Sequence, residues 1–97
     1  MSLLIWVYCK KLQLFPKGSR IKDHKHLWGS CGKDNIININ WKLIQAPKQI
    51  IEYVVVHELC HLKFRNHSDA FWVFLSSVFP EIDRCKRWLD SNEEWGL

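Results

Sequence analysis

Two histidines four residues apart frame a glutamate in the run His57–Glu58–Leu59–Cys60–His61. On a helix, positions i and i+4 lie one turn apart on the same side, so both imidazoles can offer a ring nitrogen to one cation. Glu58 falls about 100° round from His57, placed to face a water on the ion rather than the ion itself. Such an ion acidifies its water and the carboxylate takes the proton, which is metal-assisted hydrolysis. His67 follows His61 by six residues. It lies past the helix end expected at Lys63–Phe64, and the polar Arg65–Asn66 pair permits a turn that returns a third imidazole. Three neutral histidines leave one tetrahedral position open, as catalysis requires. The expected metal ligands are therefore His57, His61 and His67, the expected ion is Zn2+, and Glu58 is the expected base.

The plainer alternative is two helix histidines meeting solvent, with His67 at the cap of the next helix. Three histidines at these offsets, with a glutamate in the base position, are hard to reconcile with it. Neighbouring residues carry humbler expectations. Cys31 is expected as a buried thiol, and Cys60 should face the core. Tyr53, one turn before His57, is expected to pack in the core. Trp28 and Trp41 should wedge a hairpin against the metal helix, with Phe71 and Trp72 packed behind it. Asn66 and Asp69 are candidates to accept from the outer ring nitrogens of the ligands. In His24–Lys25–His26 the expectation is solvent exposure, with His26 nearest the hairpin.

The elements that must position these residues follow from periodicity. Residues 3–15 read as one or two strands, ended by Pro16–Gly18. The basic stretch Lys17–Lys25 reads as a loop or turn. A hairpin is expected over Leu27–Trp41, with Gly32 and Asn35 able to take positive φ in its turn. Ile37, Ile39 and Trp41 share one face of the second strand, and Asn38 and Asn40 the other. That asparagine face predicts a sheet edge or a cleft wall, where an extended peptide could add as a strand. Pro47 opens a helix running to about Phe64, in which Val54–Val56 are weak formers sustained by burial. Ser68 caps a helix running to Phe79, Pro80 stops it, and a third short helix spans Glu81 to about Leu89. The expected class is α+β: a mostly antiparallel sheet with a hairpin packed on the metal-binding helix, followed by two short helices.

A chain of 97 residues and 11.6 kDa fits one small domain, expected over 1–97. With 47% hydrophobic and 25% charged residues and only four Gly, it is neither disordered nor collagen-like. Six Trp, five Phe and two Tyr predict a strongly aromatic core or ligand surface. Residues 1–50 carry nine Lys/Arg against Asp23 and Asp34, a net +7, whereas 51–97 carry a net −3. The basic half suits a nucleic acid or an acidic protein, or simply a solvated lysine surface. Cys9, Cys31, Cys60 and Cys85 form no Cys-x-x-Cys knuckle, which excludes a cysteine-rich zinc ribbon. Leu3–Val7 is too short for a signal peptide core or a membrane span. Reduced cysteines, a cytoplasmic location and no membrane partner are the resulting expectations.

The longer motifs carry a resemblance. "WGSC" at Trp28–Cys31, "NIININWKLIQAP" at Asn35–Pro47, "YVVVHELCHLKFRNHSDAFW" at Tyr53–Trp72 and "RWL" at Arg87–Leu89 resemble the YgjP-like metallopeptidase domain, related to the SprT and WLM zinc peptidases. The match covers about residues 20–90, in a short or N-terminally truncated version of that domain. The resemblance implies a zincin-like fold, His57, His61 and His67 as zinc ligands, and Glu58 as catalytic acid/base. Its histidine spacing is also that of the metzincins, which turn at a glycine where this chain has Phe64. The expected function is a zinc-dependent metallopeptidase acting on peptides or unfolded protein. The competing readings are a non-catalytic metal-stabilised binding module and, less favoured, a three-histidine zinc endoribonuclease of the YbeY type. Those nucleases lack a glutamate after the first histidine, so Glu58 discriminates.

Overall fold

The apolar opening of the chain is helical, in contrast to the strands expected there. In the computed structural model, which describes residues 2–23 and 26–92, Ser2–Leu12 forms α1. Ile5 and Cys9 are buried, and Leu4, Tyr8 and Leu12 pack beside them, the i, i+3, i+4 spacing of one helix face. Periodicity hid this face because Leu3, Trp6 and Val7 on the other side are apolar too. Gln13 ends the helix at φ 57°, and the Leu14 N–H reaches back to the Cys9 carbonyl at 3.2 Å, a Schellman closure.

The sheet differs from expectation in two ways. First, the basic segment after Lys17 is not a loop: Gly18–Lys22 is a strand, β1. It pairs in parallel with β3 (Ile36–Asn40), Gly18 opposite Ile36 and Lys22 opposite Asn40. Its exposed, charged side chains suit an edge strand. Second, β3 lies between β1 and β2 (Gly29–Cys31), so it is the central strand and not an edge. The expected hairpin is present: β2 runs antiparallel to β3, with Gly29 opposite Ile39 and Cys31 opposite Ile37. The sheet is therefore mixed rather than mostly antiparallel, within the expected α+β class.

Asparagines occupy a central strand because their side chains are hydrogen-bonded. Asn40 donates to the Leu27 carbonyl at 2.9 Å and accepts from the Lys42 N–H at 3.0 Å, capping a 3-10 turn over Trp41–Gln45. Asn38 donates to Ser30 Oγ at 3.4 Å. Trp41 leaves the Ile37–Ile39 face; it is exposed and its indole donates to Asp23. Of the two expected wedges only Trp28 is buried, its ring 6.3 Å from that of Trp88. In the turn, Asn35 takes the positive φ of 64°, and Gly32 does not.

α2 (Lys48–Cys60) is the axis of the molecule, with Pro47 at its N-cap. Every residue from Tyr53 to Cys60 is buried, because the sheet, α1 and the helices over Asp69–Val78 and Ile82–Asn92 all pack on it. Burial on all sides offsets the poor helix propensity of Val54–Val56. Ser68 caps α3 (Asp69–Val78) by accepting the Phe71 N–H, as expected. α4 (Ile82–Asn92) follows Pro80 and closes the core with Cys85 and Leu89. The four cysteines are free thiols, three buried and Cys31 half-buried. No helix among the described residues is long and apolar enough to cross a membrane.

Candidate metal centre

α2 delivers His57 and His61 from one face of its last turn, and the loop before α3 returns His67 to them. The Nε2 atoms of His57 and His67 lie 3.2 Å apart, as do those of His61 and His67. One ligand atom from each ring falls within 4.8 Å of the others. Tetrahedral nitrogen ligands about 2.0–2.1 Å from a shared ion stand roughly 3.3 Å apart, so the donor set fits such an ion. The structure thus brings together the three histidines that the sequence spacing groups.

Aromatic walls and one carbonyl fix the rings. His61 stacks on Phe71, centroids 4.6 Å apart and planes 18° apart, and His67 stacks on Trp72 at 5.5 Å and 23°. Phe71 and Trp72 therefore pack against the imidazoles themselves, not behind the helix. The His61 Nδ1 sits 2.9 Å from the Phe64 carbonyl. A carbonyl only accepts, so Nδ1 carries the proton and Nε2 keeps its lone pair for a cation. That orienting bond was expected from Asn66 or Asp69, but both are exposed.

Electrostatics favour neutral ligands. Burial pushes the His57 imidazole down to about 3, helped by His61 and His67, and burial lowers His61 as well. Glu58 is fully buried, and neither carboxylate oxygen has a hydrogen-bond partner among the described residues. Burial raises its carboxyl to about 8. A buried acid without partners is costly unless something polar is held against it. It borders a cavity of about 310 Å3 shared with His61, His67, Arg65 and the β2 residues Gly29–Cys31.

A second cavity, about 230 Å3, opens on His57 and His67 from the α4 side and is walled by Trp28, Tyr53, Trp72 and Leu89. A larger one, about 620 Å3 at the α3–α4 junction, meets this region through Trp72 and Lys86 and holds none of the histidines. Tyr53 is fully buried, edge-on to His57, as core packing predicts. Cys31 stays outside the histidine cluster, near the Arg65 guanidinium at 3.7 Å. His26 is exposed, and His24 and Lys25 lie outside the described residues.

Two residues of the site were not legible in advance. Arg65, expected only to permit a turn, donates to the Gly32 carbonyl at 2.9 Å and to Asn35 Oδ1. It thereby ties the loop that carries His67 to the hairpin. Gly29 lets β2 approach α2: a Cβ there would meet Val54 Cγ1 at 3.1 Å and Glu58 Cγ at 3.2 Å. A glycine inside a strand signals close backbone approach, though not to which partner.

Comparison with known proteins adds three findings. The model of the family described as YgjP-like, metallopeptidase domain, matches residues 3–92, which extends the resemblance back into α1. No curated protein matches. The crystal structure of the metallopeptidase zymogen of Pyrococcus abyssi abylysin is similar with a TM-score of 0.87 at 22% identity, covering 99% of this chain and 97% of that one. At that identity the likeness shows the fold.

Proposed function

The chain belongs to the YgjP-like metallopeptidase family, and on that premise we propose that it is a zinc peptidase with His57, His61 and His67 as ligands and Glu58 as general base. The observation that carries this reading is the buried, unpartnered Glu58 carboxylate beside three converging imidazoles. When bound, zinc supplies Lewis acidity, activating water and polarising the scissile carbonyl. Glu58 accepts the water proton and passes it to the leaving amine. His61 holds its ring through the Phe64 carbonyl and the Phe71 face, and His67 lies against the Trp72 face while staying open to solvent.

The substrate class we propose is a peptide or an unfolded protein. Strand addition on β3 is ruled out because both its edges are paired. The open edge of β2 replaces it, since Gly29–Cys31 borders the cavity that holds Glu58, His61 and His67. Backbone hydrogen bonds there would lay an extended chain across the site.

The test is reconstitution. Metal-free protein titrated with zinc should gain hydrolysis of an unfolded protein and saturate near one zinc per chain. RNA cleavage without peptide cleavage would favour the nuclease reading. Stoichiometric zinc with neither activity would favour the binding module.

A further inference from the structure

α1 is apolar on both of its sides, and only one is covered. Ile5 and Cys9 face the core with Leu4, Tyr8 and Leu12. On the outward stripe, Leu3, Trp6 and Val7 are 73%, 57% and 43% exposed, spaced i, i+3, i+4. The next turn of that stripe carries Lys10 and Lys11. A surface helix of a globular domain normally turns polar residues outward, so this stripe is built to meet something other than water.

Charge says what. The Lys10 ammonium lies 4.9 Å from the Trp6 ring centroid, and that of Lys11 5.7 Å from the Tyr8 ring. Lys48, at the start of α2, borders the same groove as Leu3, Val7 and Lys11, about 500 Å3 in volume. The carboxylate in that groove, Glu52, is occupied by the Tyr8 hydroxyl. Phe15, 61% exposed just beyond the helix, and Lys17 continue the same composition. The patch is thus apolar, led by a tryptophan and ringed by ammonium groups.

We propose that this face binds the surface of a membrane containing anionic lipids. Leu3, Trp6 and Val7 enter the boundary between headgroups and acyl chains, and the lysines pair with lipid phosphates. A bilayer accepts apolar residues spread over a helix and its following turn without a matching groove. That favours it over a folded acidic partner. An 11-residue helix lies on the surface and does not span it. The expectation of no membrane partner rested on the shortness of the apolar stretch Leu3–Val7, and span length does not bear on surface binding. This inference is independent of the catalytic reading.

Flotation of the full chain with vesicles of phosphatidylcholine alone, and of phosphatidylcholine mixed with phosphatidylglycerol, tests it. The chain should float with the mixed vesicles, stay behind with the neutral ones, and be released by high salt. Trp6→Ser, and separately Lys10→Glu with Lys11→Glu, should each weaken retention about tenfold or more. Melting temperatures should hardly change, since these side chains are exposed. No retention, equal retention on both vesicles, or retention indifferent to both variants would overturn the proposal. A dimer abolished by Trp6→Ser, without vesicle binding, would assign the face to a second copy and overturn it equally.

Discussion

Gly29 lies so close to Glu58 that a Cβ on it would stand 3.2 Å from Glu58 Cγ. The space a side chain would fill is the space that lets the carboxylate turn toward the cavity it shares with His61 and His67. Gly29→Ala should therefore cost about 1–3 kcal/mol by overpacking and lower hydrolysis further than that loss of stability explains. Zinc content should stay near one per chain. Denaturant melts, metal analysis and turnover on one preparation separate these effects, and unchanged turnover would show that Glu58 is not held by this contact.

The three histidines should act as one set. Replacing His57, His61 or His67 by Ala should abolish stoichiometric zinc and remove the rise in melting temperature that zinc gives the wild type. Metal analysis and paired melting curves check this. A variant that keeps full occupancy would remove its histidine from the set.

Glu58 gives the metal-free chain a pH dependence with a definite sign. Its carboxyl stands at about 8 against an ordinary 4.5, so the folded state holds that proton more tightly than the unfolded chain does. The contribution is complete below about 4.5 and lost as pH rises through about 8. Metal-free wild type should lose roughly 5 kcal/mol relative to Glu58→Gln across that window. His57, pushed down to about 3, contributes in the opposite sense on the acid side, but it is common to both proteins. Parallel stability curves would contradict the burial argument.

Arg65 fastens the His67 loop to the hairpin turn through Gly32 and Asn35. Arg65→Ala should leave the ligand set intact yet weaken zinc about tenfold or more, because His67 loses its fixed approach. Competition with a chelator reads this directly. Unaltered affinity would show that Ser68 and the Trp72 stack position His67 without it.

The centre was legible because its residues are local. His57 and His61 sit one turn apart, Ser68 announces α3, and His67 lies between them. Longer-range relations were not. α1 shows no periodicity because both its faces are apolar, and β1 is an edge strand whose charges resemble a loop. β3 reads as half-exposed until Asn38 and Asn40 find Ser30 and the Leu27 carbonyl, partners eight and thirteen residues away. Spacing on α2 placed Glu58 near the ligands, but only the fold reveals that Gly29 makes room for it.

The most direct test of the central claim is hydrolysis of an unfolded protein by zinc-loaded wild type and Glu58→Gln. Glutamine keeps the shape and one carbonyl oxygen but cannot take a proton. Zinc should remain near one per chain while hydrolysis falls by roughly two to four orders of magnitude, the usual scale for losing a general base. Equal turnover by the two proteins at equal zinc content would contradict the assignment of Glu58 as the base.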